Sequence, residues 1–400
     1  IAAVDDSEYA LKKERVAELK FLRAQYYLRL KVLFNAVPWV DENTTEAQAK
    51  ANPRCNREEL FRHIFDDLAE AVEIMSLYEV DPETGESELE ATVYGTSPTY
   101  PTLAAVYGLY ARAYLWLGGF EANNAEESDP YKTGEAAYRE AARYARLAIE
   151  TSQAPITTEQ EWLSVTNAFN TVIPSWLWAT VQSSDTVMSN LYAFAAHMCP
   201  EAAYGYGPLA CHGVSSTMYD RIHNTDFRKK VIVGPNTTYD DFKNYTTMSR
   251  DEWEALAYMA PYTSFKFRPF GGERNDYMRG NAVNLPIMRV EELYFIEMEA
   301  TSHFDEAEAQ KLLYTFMATR DSKYFYIGSD LAEEIVFQKQ VEFWGEGQVL
   351  FDMKRLNMGV NTTEANYPSG MLFKSEGRLP WWNMSIPSGE YMVNKGIKND

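Results

Sequence analysis

The sequence predicts a mostly α fold, in which a tetratricopeptide-like helical-hairpin scaffold is joined to a second, irregular, loop-rich subdomain. Three observations carry this prediction. Long segments near both ends repeat apolar residues every three or four positions. One pair of these segments has the pattern of a helical hairpin. The middle of the chain loses that periodicity, and glycine, proline, asparagine and aromatic residues become frequent there. We expect three parts along the chain: the helical scaffold at 1–154, the irregular subdomain at 155–285, and returning helices with an extended tail at 286–400.

The N-terminal part begins with two predicted amphipathic helices. The first covers 8–34, and the second covers 57–77. The apolar stripe of the first helix consists of Leu11, Leu19, Leu22, Tyr26, Leu30 and Leu33, widened by Phe21, Ala24 and Leu28. The face of the second consists of Leu60, Ile64, Leu68, Ala71 and Met75.

The clearest hairpin pairs LAAVYGLYARAYLWLGGF with EAAYREAARYARLAIE. The first segment follows Pro101 and ends at Gly118 and Gly119, which favour a helix terminus. Its expected inner face is Ala104, Gly108, Ala111 and Leu115, and the second helix carries a stripe of Ala137, Ala141, Ala145 and Ala148. Small residues allow two helices to approach closely, as in tetratricopeptide units. The intervening loop is longer than a standard repeat allows.

The middle of the chain reads as short elements separated by long loops. SWLWATVQ predicts a strand, TMYDRIHNTDFRKKVIV a helix, a turn and a strand, and DEWEALAYM a short helix. PEAAYGYGPLACHG and FKFRPFGGERNDYMRG are predicted loops. Loops of this length inside a compact protein are usually functional.

Helices return in the C-terminal part with MRVEELYFIEMEATSHF and DEAEAQKLLYTFMATR. IVFQKQVEFWGEGQVLFDMKRLNMG predicts a further helix that places Phe337, Val341, Trp344, Phe351 and Leu356 near one face. Gly345 and Gly347 interrupt it, which indicates close packing or a bend. The tail after this helix is predicted to be extended.

Composition excludes several classes of function. A net charge of -21 argues against nucleic acid and against an anionic membrane surface as partners. The sequence contains no run of 18 apolar residues, so it predicts no membrane-spanning helix. The 27 tyrosines offer flat rings with hydroxyls, which suit sugar or peptide surfaces, although packing of amphipathic helices is the alternative for most of them.

The chain carries no sequence motif of catalysis that we recognise. H-E-x-x-H, G-x-S-x-G, a phosphate-binding P-loop and a dinucleotide fingerprint are all absent, so we expect no enzyme and no cofactor. Cys199 and Cys211, flanked by His197 and His212, leave a disulfide, free thiols or a metal site open. Their spacing fits no standard zinc pattern, and no calcium-loop spacing occurs, so we expect no metal.

Four blocks in order along the chain together resemble one family. They are AELKFLRAQYYLRLKVLFNAVPWV, LPIMRVEELYFIEMEA, the stretch from Glu342 to Arg355, and IPSGEYMVNKGI. The family is SusD/RagB, the surface-exposed nutrient-binding lipoproteins of Bacteroidetes. Asn35 stands where the family has glycine, Met298 where it has alanine, and Val349 and Leu350 where it has arginine and tryptophan.

The resemblance implies non-catalytic binding of a nutrient, usually an oligosaccharide and for some members a peptide. It also implies a surface-exposed lipoprotein of the outer membrane that delivers its ligand to a TonB-dependent, SusC-like transporter. We expect the anchoring cysteine and the first helices upstream of Ile1. The resemblance also implies that four residues form structural ion pairs or helix caps: Arg23, Arg289, Asp352 and Arg355. A helical scaffold for protein partners without a small ligand is the other interpretation.

Candidate ligand residues lie in the irregular part, where aromatic faces can stack on sugar rings and polar groups can hold hydroxyls. The candidates are Tyr204, Tyr206, Trp253, Tyr258, Tyr262, Arg268, Arg274 and Asn275. Tyr204 and Tyr206 come first because Gly205 and Gly207 keep their loop off regular elements. Packing in a core is the alternative for each aromatic candidate.

Overall fold

The structure, a computed structural model, describes residues 9–91, 94–95, 97–119, 133–164, 171–181, 197–199, 212–246, 248–255, 262–268, 284–363, 368–379 and 382–397. These residues form two compact units. Unit 1 takes its residues from 1–152, 351–359 and 375–400, and unit 2 from 153–350 and 360–374. The three parts predicted from the sequence, with boundaries at 154 and 285, stay a prediction. Among the described helices, none combines the length and apolar character needed to cross a bilayer.

Unit 1 is built from helices. They are α1 (Tyr9–Phe34), α2 (Glu46–Ala49), α3 (Arg57–Ser76), α4 (Leu103–Gly119), α5 (Gly134–Ser152) and the late α14 (Ser388–Val393). α1 packs on α3, and α3 on α4. The predicted face of α3 is buried, and Asn56 caps its first turn by accepting from the Glu59 amide. The tail, predicted to be extended, contains the short helix α14.

The buried side of α1 differs from the predicted stripe. Leu19 and Tyr26 are exposed, whereas the buried residues of this helix include Ala17, Phe21 and Leu28. α1 is apolar on more than one side, so its periodicity does not select the face. The partner helix selects it: Arg23 makes a bidentate ion pair with Asp67 of α3, with both N–O distances at 2.6 Å.

The predicted hairpin of α4 and α5 is confirmed. Ala137, Ala141, Ala145 and Ala148 are fully buried between the two helices, which pack closely together. Gly118 belongs to the same close approach, because a Cβ there would lie 2.7 Å from the Tyr138 ring. The mostly α, tetratricopeptide-like fold class is therefore confirmed.

Unit 2 contains short elements and then three longer helices. They are α6 (Glu159–Leu163), β1 (Trp176–Thr180), α7 (Ser216–Arg221), α8 (Tyr239–Phe242), α9 (Arg250–Ala255), β2 (Leu285–Arg289), α10 (Val290–Ser302), α11 (Glu306–Met317) and α12 (Leu331–Glu342), followed by α13 (Val349–Arg355), which begins in unit 2 and ends in unit 1. β1 pairs antiparallel with β2, with Trp176 opposite Arg289.

Two local predictions in unit 2 are wrong. The segment before α10, whose last two residues were predicted to belong to the helix, forms the strand β2. Its hydrogen-bond partner is β1, and a run of five residues does not by itself reveal such a distant partner. Residues Phe227–Val231, predicted as a strand, form a 3₁₀ turn. The Asp226 carboxylate accepts from the backbone and the side chain of Arg228, which closes the turn locally instead of leaving its amides for a neighbouring strand.

The aromatic stretch from Ile335 to Gly359 is two helices rather than one. Gly345 and Gly347 have φ values of 80° and 76°, and the chain bends between α12 and α13. At Gly345 a Cβ would also lie 2.5 Å from the Phe267 ring. The bend presents the Trp344 carbonyl and the Glu346 carboxylate to Lys266, at 3.0 and 2.6 Å. Both interpretations predicted for these glycines, close packing and a bend, therefore apply at Gly345.

A buried ionic network holds unit 2 together. Its members are four cations and four carboxylates with nearly inaccessible side chains: Arg228, Lys266, Arg289, Arg320, Asp226, Glu291, Glu342 and Glu346. Equal numbers of opposite charges offset the cost of burial. The structural role predicted for Arg289 is confirmed, as is that of Asp352 and Arg355, which pair at 2.6 Å in unit 1.

Candidate functional site

A pocket of about 750 Å³ opens on the irregular part of unit 2. We call it the Tyr219 pocket. Most of its lining side chains are polar: Tyr219, Asp220, Asn224, Lys229, Lys230, Asn236, Thr237, Asp241 and Tyr245, with Ile232, Pro235 and Phe242 between them. A lining of this kind suits a ligand with many hydroxyl groups better than an apolar one.

Tyr219 stands on α7 and is fixed by its surroundings. Ser215 caps the helix by accepting from the Met218 amide at 3.2 Å. The Tyr219 hydroxyl reaches the turn that follows Gly234, close to the Thr237 side chain, and a Cβ on Gly234 would collide with that hydroxyl. Burial raises the pKa of Tyr219, so the phenol keeps its proton and can both donate and accept.

Two lysines on the 3₁₀ turn form one wall of the pocket. The Lys229 ammonium lies 4.3 Å from the centroid of the Tyr219 ring and donates to the Ile222 carbonyl at 2.8 Å and to Asn224 Oδ1 at 3.0 Å. Burial lowers the pKa of Lys229, and Asp220 and Asp226 oppose the shift in part. Lys230 pairs with Glu159 at 2.6 Å on the exposed surface.

Phe242 and Tyr245 supply aromatic rings to the lining of the pocket. Their rings meet edge to face at 6.3 Å, and Tyr245 is half-buried. Behind them lies an aromatic core in which Trp253 and Phe265 stack 6.0 Å apart. This part of the lining is therefore rigid, because its aromatic residues belong to a packed cluster rather than to a free loop.

Three predicted site residues fall within the described part of the chain, and two of them support the pocket from behind. The ring of Tyr262 meets that of Tyr219 edge to face at 5.3 Å, and its backbone has a φ of 68°. Trp253 is buried against Phe242 at 5.2 Å. The side chain of Arg268 is buried and donates to the carbonyls of Trp162, Ser164 and Phe265. Any direct contact of these residues with a ligand remains a prediction.

The other five candidates, Tyr204, Tyr206, Tyr258, Arg274 and Asn275, lie outside the described residues. Conversely, the sequence did not single out Tyr219, Lys229 or Tyr245. Tyr219 lies in an ordinary short amphipathic segment, and only the close approach of Gly234 distinguishes it. The nearest sequence signal is the Gly234–Pro235 pair, which marks a turn but does not say what the turn covers.

Unit 1 has an aromatic surface of its own on α3, α4 and α5. The Phe65, Tyr110 and Tyr144 rings stack at 5.5 and 4.4 Å with interplanar angles of 8° and 6°. Arg143 lies 4.0 Å from the centroid of Tyr144. Tyr114 and Tyr144 are half-buried. Tyr144 thus has neighbours at 4.4 and 4.0 Å, which favours a packing role for this ring.

Metal-ligating residues do not cluster within the described part of the chain, where no group of three or more His, Cys, Asp and Glu side chains could hold an ion. Cys199 is buried, the His197 and His212 rings meet edge to face at 5.8 Å, and Cys211 lies outside the described residues. These histidines and Cys199 do not complete such a group.

Comparison with known proteins gives matches among solved structures, whereas no protein-family model and no curated protein matches the chain. A SusD-like carbohydrate binding protein from Bacteroides vulgatus superposes with a TM-score of 0.67 at 19% identity, over 97% of this chain and 77% of that one. A SusD superfamily protein from Bacteroides thetaiotaomicron gives 0.68 at 16%, over 99% and 80%. A structure solved with a xylogluco-oligosaccharide gives 0.59 at 14%, over 97% and 82%. The fold predicted from the four sequence blocks is confirmed.

Proposed function

We propose, from the premise that this chain has the SusD-like fold, that it binds an oligosaccharide without cleaving it and that the Tyr219 pocket holds the ligand. The observation that carries the proposal is the polar lining of an open pocket of about 750 Å³ in the irregular part of unit 2. The names of two structural neighbours, one a carbohydrate binding protein and one solved with a xylogluco-oligosaccharide, support the ligand class.

The lining supplies the two kinds of group that sugars need. Tyr219 and Tyr245 present aromatic carbon and hydroxyl groups, and Asn224, Asn236 and Thr237 present amide and hydroxyl groups that pair with sugar hydroxyls. The Tyr219 hydroxyl is held in place before a ligand arrives, so ordering it costs little on binding. No step of bond cleavage is proposed, since the function requires only recognition.

Affinity electrophoresis against plant, host and microbial glycans tests this proposal. Tyr245→Ala and Asn236→Ala should each weaken retardation about tenfold, because each removes a lining group from the pocket. Tyr26→Ala is the matched control, since that tyrosine is 63% exposed and lies in unit 1. Thermal unfolding of each variant separates loss of binding from loss of structure.

The outcomes of this screen distinguish the candidate sites. Retardation that survives Tyr245→Ala and Asn236→Ala but is lost in Tyr204→Ala or Tyr206→Ala would move the site to the loop predicted from the sequence. Retardation by no glycan would overturn the oligosaccharide proposal and favour a peptide ligand, which the family resemblance also allows.

We further propose that the ligand is delivered to a TonB-dependent, SusC-like transporter and that the protein resides on the outer membrane as a lipoprotein. The resemblance of the four sequence blocks and the shared fold support this part. The test is affinity purification of the full-length tagged protein from detergent-solubilised outer membranes of the organism that produces it. Recovery of a TonB-dependent barrel in equal amount supports delivery, and recovery of the protein alone contradicts it.

A further inference from the structure

Lys229 stands out in the lining of the Tyr219 pocket because it is a half-buried cation that makes no ion pair with any described carboxylate. Its two hydrogen-bond acceptors, the Ile222 carbonyl and Asn224 Oδ1, are both neutral. Among the described residues no carboxylate forms an ion pair with it. An ammonium group carries three donors, so one N–H of Lys229 has no oxygen or nitrogen acceptor among the described residues, and the ammonium lies beside the Tyr219 ring.

The other charged groups of the pocket are already engaged or exposed. Lys230 holds Glu159 in a surface ion pair, which is weak because both side chains are exposed to water and is easily exchanged for a ligand. Asp241 accepts from the amide and the hydroxyl of Thr238 at 2.8 and 2.7 Å. Asp220 is exposed and bears on Lys229 only through its longer-range charge.

We propose that the Tyr219 pocket selects an acidic oligosaccharide and that Lys229 binds its anionic group, a carboxylate or a sulfate ester. This inference rests on the proposed function, since it concerns the ligand of the same pocket. A chain with a net charge of -21 repels anions at long range, so an acidic ligand requires a local cation at short range. Lys229 meets this requirement beside the hydroxyl and amide groups that recognise sugars.

Lys229 also ties the end of α7 to the following turn, and the experiment has to separate that structural role from anion binding. Lys229→Gln keeps an N–H donor on a side chain one atom shorter and removes the charge. Lys243→Gln is the matched control, because Lys243 is an exposed lysine next to α8 that pairs with Asp240 and does not line the pocket.

The probes are matched pairs that differ in charge: homogalacturonan, alginate and hyaluronan, each beside its own methyl ester, and dextran sulfate beside dextran. Isothermal titration calorimetry should show tighter binding of an acidic member than of its neutral counterpart, with binding weakened by 0.5 M NaCl. Lys229→Gln should weaken the acidic ligand about tenfold or more, and by a clearly larger factor than it weakens the neutral one. Lys243→Gln should change neither.

A substitution at Asp220 should change the affinity for the acidic ligand in the opposite direction to Lys229→Gln. Asp220→Asn should tighten the acidic ligand, because it removes a negative charge that faces the Lys229 wall. Binding only to the uronate polymers would show that the pocket recognises a carboxylate, and binding only to dextran sulfate would show that it recognises a sulfate ester. Equal binding of charged and neutral members, or weakening of both by the same factor in Lys229→Gln, would overturn this inference while leaving oligosaccharide binding intact. Binding to no glycan of any charge would instead overturn the proposed function.

Discussion

Replacing Glu342 by glutamine should destabilise unit 2 more than any surface substitution. The Glu342 side chain is fully buried, and its Oε1 accepts from Arg289 at 3.2 Å and Arg320 at 3.1 Å. Its Oε2 accepts from Arg320 at 2.9 Å and Arg228 at 3.2 Å. Glutamine nearly preserves the shape but leaves four buried cations facing three carboxylates. Removing one partner from a buried ion pair costs about 3–5 kcal/mol.

The assay is thermal and urea unfolding of Glu342→Gln beside Glu333→Gln. For a unit of roughly 200 residues, about 3–5 kcal/mol corresponds to a fall in Tm of roughly 6–20 °C. Glu333 is the matched control because it lies on the same helix and also pairs with an arginine, Arg221 at 3.1 Å, but its side chain is 66% exposed. Glu333→Gln should change the free energy of unfolding by less than about 1 kcal/mol. Equal Tm values for Glu342→Gln and the wild type would refute the reasoning.

Two further predictions concern the same region of unit 2. Burial alone would raise the pKa of Glu342, but the guanidinium groups of Arg320, Arg289 and Arg228 hold it well below its ordinary value of 4.5. Because the folded-state pKa is depressed, this carboxylate contributes stability above about pH 4.5 that is lost as the pH falls below that value. Tm measured from pH 7 to pH 3 should therefore fall more steeply in the wild type than in Glu342→Gln, and parallel curves would contradict this. Gly345→Ala should lower the free energy of unfolding more than Gly347→Ala: both positions have positive φ, which costs about 1–2 kcal/mol, but only at Gly345 would the Cβ meet the Phe267 ring. Chemical denaturation of both variants checks this, and equal losses would show that backbone strain alone matters.

The fold was predictable to the extent that local patterns carry it. The alanine stripe of α5, with Ala141 and Ala145, specifies close helix packing, and the structure places it against α4. The face of α1 was not predictable, because Leu19 and Phe21 are equally apolar and the partner helix decides which is buried. The strand β2 was missed for a similar reason, since its hydrogen-bond partner β1 lies more than one hundred residues earlier in the chain.

The Tyr219 pocket lies in the irregular part, where the sequence favours a ligand site because long loops in a compact protein commonly carry function. That a ligand binds there stays a prediction. Tyr262 and Trp253 were singled out as aromatic residues of that part, and the structure places them behind the pocket wall. Lys229 was not singled out, since its hydrogen bonds to neutral acceptors among the described residues are a property of the folded surroundings and not of the residue.

By itself the sequence determined the fold class of the protein, through helices of hairpin type and four blocks that identify the SusD-like fold. These features are local, because periodicity, glycine breaks and motif spacing are set by residues near one another in the chain. Only the tertiary structure decided which side chains share a space. The Tyr219 pocket joins α7, the Phe227–Val231 turn and α8, and the Glu342 network joins residues more than one hundred positions apart. Such groupings depend on long-range packing and on burial, which change both the neighbours of a charge and the strength of its interactions.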